Sequence, residues 1–186
     1  ETFSVEDLEQ RAKASSRQRW KSLYICCARF LAAQQIQKAT GASLLITDID
    51  ILFNGNIKDR FAGDIACALR LRPEQSNLSK RSLGGVVFAS SSPLGRRFLS
   101  RASDAIARFL AAGFYWFAFD QYALWRAVRA MSAHERRKYF SPLTASDVSF
   151  EFAQDALILY PKGALKDQDE YSNLAENYDE SQREAS

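Results

Sequence analysis

The sequence predicts one α/β domain whose mainly parallel sheet is flanked by helices. Three observations carry that expectation. Of 186 residues, 47% are hydrophobic, enough for a single core at the common domain size of roughly 100–150 residues. Apolar runs at 43–48, 64–70 and 84–90 have strand length. Longer segments with helical spacing stand around them, and strands alternating with helices imply crossovers and a parallel sheet.

The elements follow in order. "SVED" at 4–7 reads as a helix start, with Ser4 as N-cap and acids in the first turn. In the next helix Trp20, Leu23, Tyr24, Cys27 and Leu31 form one buried stripe, and Gly41 ends it. The strand at 43–48 leads through "NGN" and a short turn or helical segment, "IKDRF", to the strand at 64–70. "GGVVFAS" is the third strand. Ser92-Pro93 opens a helix, since proline suits the first helical position. It runs to about Gly113, with Leu94, Phe98, Ala102, Ile106 and Leu110 inward. Another helix begins near Asp120. "KYFSPL" and "DALILY" are late strands, the second closed by Pro161 and Gly163. The domain covers 1–163, and 164–186 is an acidic tail, either a loosely held helix or disordered.

Composition narrows the function. The longest apolar run, Leu110–Phe119, is half the ~20 residues of a spanning helix, so no membrane span is expected. The chain starts with Glu1, and its one methionine is Met131, so it reads as a piece of something longer. Cys26, Cys27 and Cys67 lack metal-ligand spacing and read as reduced thiols of a cytoplasmic protein. His134 lies in a polar stretch and reads as a surface residue. Residues 1–163 hold 23 basic against 15 acidic side chains, whereas 164–186 hold 2 against 7. A basic body attracts an anionic ligand or is simply solvated. No nucleic-acid-binding module is evident, so no nucleic-acid partner is expected.

The chemistry concentrates in "SLLITDIDILFNG" (43–55). Asp48 and Asp50 stand at the mouth of an apolar strand, where a buried carboxylate costs several kcal/mol unless something takes up its charge. Two carboxylates two residues apart make an oxygen-rich corner that suits a hard cation such as Mg²⁺ or Mn²⁺. The alternative is an Asx-turn at Asp48 and a helix cap at Asp50.

"LLITDIDILFNGNI" resembles the D-x-D region of GT-A fold glycosyltransferases, particularly nucleotide-diphospho-sugar transferases related to the family-eight enzymes. "LGGVVFA", "FDQYALWRA" and "ALILYPKG" resemble that family's glycine strand, Asp-Gln helix start and last strand, in the same order. The resemblance implies that Asp48 and Asp50 hold Mn²⁺ or Mg²⁺, Asp48 also reaching the nucleotide ribose. Of the two acids, it makes Asp50 the more direct metal ligand and sets Asp48 on the ribose or the metal. It implies that Gly84 and Gly85 admit the donor sugar against backbone. Asp120 would accept sugar hydroxyls, Gln121 would lie near the anomeric carbon, and Lys162 would neutralise the leaving diphosphate. From the residues alone, the glycines also suit close strand packing or a bulge, Asp120 an N-cap, and Lys162 an exposed turn.

Three departures stand out. Leu83 replaces the family's asparagine. Tyr160-Pro161-Lys162-Gly163 replaces a last loop that often carries a histidine ligand. The 42 residues before Ser43 read as helix, so the family's N-terminal strands are expected to be missing. The aromatic run 114–117, with Trp125, lines an acceptor groove or packs in the core.

The expected function is a metal-dependent glycosyltransferase domain of hexosyltransferase type. It would move a sugar from a nucleotide-diphospho-sugar to a glycan, lipid or protein acceptor. The alternatives are a non-catalytic binding domain of that fold and a haloacid-dehalogenase-like phosphatase. The phosphatase motif continues with Gly and Thr, where this chain has Ile51 and Leu52.

Overall fold

The structure is a computed structural model that describes residues 18–69, 82–113, 118–144, 147–149 and 156–160, with Glu6 and Gln10. The 4–7 helix start apart from Glu6, the aromatic run 114–117, the Pro161–Gly163 loop and the tail lie outside the described residues, as do the side chains of Trp20 and Leu23. In chain order the elements are α1 (Gln18–Thr40), β1 (Leu44–Thr47), β2 (Leu52–Phe53), a 3-10 turn (Lys58–Phe61), β3 (Ile65–Leu69) and β4 (Ser82–Ala89). Then come α2 (Pro93–Ala111), α3 (Phe119–Arg129), α4 (Ala133–Tyr139), β5 (Phe140–Leu143), β6 (Val148–Ser149) and β7 (Ile158–Leu159).

The fold is mixed α/β, with a four-stranded sheet ordered β1-β4-β3-β5 and a three-stranded sheet ordered β2-β7-β6. The sheets are not mainly parallel. β1–β4, β3–β4 and β2–β7 pair antiparallel, and β3–β5 and β6–β7 pair parallel. The alternation rule assumes a helical crossover between neighbouring strands. Among the described residues, the only helical turn between β1 and β4 is the short 3-10 segment. The chain reaches β5 through three helices, and β5 then lies beside β3, with which it runs parallel.

Strand side chains alternate between the sheet's faces, and both faces are buried. Ile65, Cys67, Val87 and Ala89 join Phe30, Leu31, Phe98, Leu99, Ile106 and Leu124 in a core under α1, α2 and α3. Ala66, Ala68 and Val86 turn the other way, to Leu143, Val148, Ile158 and Tyr160. Burial on both faces explains why these strands read as continuous apolar runs.

The helix boundaries have local causes. Gly41 ends α1 in the left-handed region at φ +66°, its N–H donating to Gln37 at 2.9 Å. Gln37 is itself buried and donates to Ala89 O at 3.3 Å and Ser90 O at 3.0 Å, tying α1 to the end of β4. Ser92 caps α2 by accepting from Gly95 N at 3.0 Å, with Pro93 next, and Leu94, Phe98, Ala102, Ile106 and Leu110 are all buried. Asp147, also buried, accepts from Thr144 N and Oγ1, both at 2.8 Å, and fixes the turn into β6. His134 is exposed. Among the described residues no helix is long and apolar enough to cross a membrane.

Candidate functional site

A pocket of about 540 Å³ opens where β1 ends. Thr47, Asp48, Ile49 and Asp50 form one wall, Gly84 and Gly85 the floor, and Asp120 and Gln121 the start of α3. Ile25, Cys26 and Arg29 come from α1, and Tyr160 follows β7.

Antiparallel pairing explains how these segments meet. Thr47 lies opposite Val86, and Asp48 N donates to Gly85 O at 2.9 Å. The start of β4 therefore stands beside the end of β1. The register between β3 and β4 slips between Cys67 and Ala68, which pair with Val87 and Leu83. Gly84 and Gly85 fall in that bulge, as one of the two readings of the residues has it. A Cβ on Gly84 would meet the Asp120 carboxylate and Arg29 Nη2, and one on Gly85 would meet the Tyr160 ring.

Arg29 organises the charge. Its guanidinium pairs with Asp48 Oδ1 and, at 3.0 Å, with Asp120 Oδ2. Tyr160 donates its hydroxyl to Asp48 Oδ2. Both oxygens of Asp48 are thus engaged. Asp120 is 2% exposed and is not an N-cap, since Ala118 holds that position without a side-chain bond. Ala118 is also left-handed, at φ 65°, a conformation that costs a non-glycine residue about 1–2 kcal/mol. Asp120 Oδ1 is buried with no hydrogen-bond partner among the described residues. Burial pushes the Asp120 carboxyl above its ordinary value, and the Arg29 guanidinium opposes part of that rise. At the tip of the corner Ile49 is fully exposed.

Asp48, Asp50, Gly84, Gly85, Asp120 and Gln121 are thus brought to one pocket, whereas Lys162 lies outside the described residues. Sequence reasoning missed Arg29 and Tyr160. Arg29 had a signal: it is the lone charge within "ICCARFLAA", and a cation in an apolar helix needs a partner. Tyr160 read only as the last apolar residue of a strand. A buried tyrosine hydroxyl also needs a partner.

The donor set is all oxygen, the chemistry a hard divalent cation takes. Asp48 and Asp50 both line the pocket, and carboxylate oxygens are the ligands such a cation takes. No three Asp, Glu, His or Cys side chains are grouped as a metal site among the described residues. The fit is therefore to a two-carboxylate site completed by ligand and water oxygens. Asp48 is already shared with Arg29 and Tyr160.

All three cysteines remain thiols. Burial pushes Cys67 up to about 12, and burial with the nearby Asp120 charge raises Cys27 well above its ordinary value. Cys26 is half-buried on the pocket wall. Iodoacetamide should label Cys26 first in the native chain and reach Cys27 and Cys67 only on unfolding, as read by peptide mass mapping. Equal labelling of all three in the native state would contradict this packing.

Fold and site together define a mixed α/β protein with an acidic, arginine-bridged pocket at the end of its four-stranded sheet. No model of a known protein family matches the chain. No curated protein matches its sequence either.

Proposed function

We propose that the pocket binds a nucleotide-diphospho-sugar and that the chain is a metal-dependent glycosyltransferase domain of GT-A type. One observation carries the reading. The acids Asp48 and Asp50, the glycines Gly84 and Gly85, and the Asp120-Gln121 pair come from three separated segments and line a single pocket.

Asp50, with Asp48, would hold Mn²⁺ or Mg²⁺, and when bound the cation stabilises negative charge on the departing diphosphate as a Lewis acid. The remaining work belongs to the chain's own side chains. Gly84 and Gly85 present backbone to the sugar without a side chain between. Asp120 accepts hydrogen bonds from sugar hydroxyls, and Arg29 fixes the orientation of that carboxylate. Gln121 lies beside Asp120 on the first turn of α3 and faces the same pocket. Lys162 is proposed for the leaving diphosphate. The acceptor is a glycan, lipid or protein. Buried thiols accord with a reducing, cytoplasmic setting.

A phosphatase with Asp48 as nucleophile is less well supported, because Arg29 and Tyr160 already engage both its oxygens. A non-catalytic binding domain would bind the same donor and release no nucleoside diphosphate.

Isothermal titration of nucleoside diphosphates with Mn²⁺ tests the proposal. Binding should need the metal and weaken about tenfold or more, ~1.4 kcal/mol, in Asp50→Asn. Binding indifferent to Asp50, or no binding of any nucleoside diphosphate, would overturn it.

A further inference from the structure

Gln121 begins a surface that leaves the pocket along α3. Trp125 and Arg129 follow it at steps of four residues and so share its face, and Tyr122 and Arg126 run alongside. The Tyr122 and Trp125 rings stack 6.0 Å apart at 28°. The Arg126 guanidinium lies 6.0 Å from the Tyr122 ring, and that of Arg129 lies 5.9 Å from the Trp125 ring. Phe109 of α2 meets Tyr122 edge-on at 5.9 Å.

Both arginines are exposed and the two rings are half-buried. Neither arginine forms an ion pair among the described residues. The opposite face of α3 is buried in the core and Tyr122 packs against its edge, so the two arginines are the exposed part of this face.

We infer that this face is the acceptor track of the enzyme and binds an extended acidic glycan. The inference rests on the transferase reading above. Cation–π contacts hold the guanidiniums in place before any ligand arrives. Their outward N–H groups match carboxylate or phosphate groups in a bidentate way. The ring faces are taken up by each other and by these guanidiniums, so the arginines carry the recognition. Continuity with Gln121 leads the end of such a chain to the pocket.

Two other anionic partners fit less well. A single-stranded nucleic acid needs open ring faces for its bases, and here the arginines lie over those rings. A membrane surface needs protruding apolar groups, but among the described residues the exposed large hydrophobics are Ile25, Ile36, Leu45 and Ile49, none of them on α3.

The test is titration of the native chain with a polyuronate oligosaccharide and a neutral oligosaccharide of equal length, with tryptophan fluorescence as a second readout. The polyuronate should bind, weaken with added salt, and lose about tenfold or more in Arg126→Ser/Arg129→Ser, while the neutral chain binds poorly. Both arginines are exposed, so circular dichroism and nucleoside diphosphate binding of the variant should match the native chain. Equal polyuronate binding by the variant, no binding by the native chain, or tighter binding to single-stranded oligonucleotide or phosphatidylserine vesicles would each overturn the track. The two readings fail separately. Nucleoside diphosphate binding that depends on Asp50, without polyuronate binding, removes the track alone. Polyuronate binding without any nucleoside diphosphate binding removes the transferase reading and the acceptor role that rests on it.

Discussion

Replacing Arg29 with methionine should cost the fold about 3 kcal/mol, and the loss should grow as the pH rises. Removing one partner of a buried ion pair typically costs about 3–5 kcal/mol, because the other charge is left buried. The lower end applies because the Arg29 and Asp48 side chains are 18% and 22% exposed. The pH dependence comes from Asp120. Burial raises its carboxyl in the folded state, and Arg29 restrains that rise. Between the ordinary carboxylate value and the raised one, the folded chain holds a proton that the unfolded chain has released. Stability therefore falls as the pH climbs through that window and recovers below it. Without the guanidinium the rise is larger and the window extends upward. Urea denaturation of both proteins across acid to neutral pH measures this. Arg29→Lys should recover only part of the loss, since a point charge cannot span Asp48 and Asp120 as a planar fork does. A deficit that shrinks with rising pH would separate Arg29 from Asp120.

The same residues show where sequence reading succeeds and where it stops. Ser92-Pro93 and the five inward residues of α2 are local signals, and α2 starts and buries as they require. The positions of β1, β3, β4, β5 and β7 were legible for the same reason, but the two-residue strands β2 and β6 were not, and neither was strand direction. It depends on which strands become neighbours, and no short pattern encodes that. Direction matters here because the glycines lie near the start of β4. In a parallel sheet Gly84 and Gly85 would sit at the far end from Asp48, whereas antiparallel pairing sets Gly85 against it. The resemblance named the pocket's acids and glycines, yet the side chain that bridges them lies in a helix with no motif. Arg29 meets Asp120 across 91 residues, a contact made by packing α1 against the start of α3. The N-cap reading of Asp120 failed because the helix starts two residues earlier than that reading requires, behind a left-handed Ala118.

Adding a single methyl group at Gly85 should disable the site more severely than most polar substitutions within it. Neither Gly84 nor Gly85 has a positive φ, so an alanine at either position is limited by space rather than by backbone strain. At Gly84 the new Cβ meets the ends of two side chains, Asp120 and Arg29. These can move only by loosening their ion pair, so Gly84→Ala should weaken the proposed donor binding with a modest loss of stability. At Gly85 the Cβ meets the Tyr160 ring, which is buried and rigid and carries the hydroxyl bonded to Asp48. Overpacking of this kind costs about 1–3 kcal/mol. The ~0.4–1 kcal/mol gained from stiffening the unfolded chain offsets only part of it. Displacing the ring also takes the hydroxyl from Asp48, so donor binding should fall with stability. A double-mutant cycle isolates the cause. In a Tyr160→Ala background the space is open, and Gly85→Ala should then cost less by about 0.5–3 kcal/mol, the range for residues in contact. Strict additivity of the two changes would mean that the ring does not rest on the glycine, and the floor of the pocket would need another explanation.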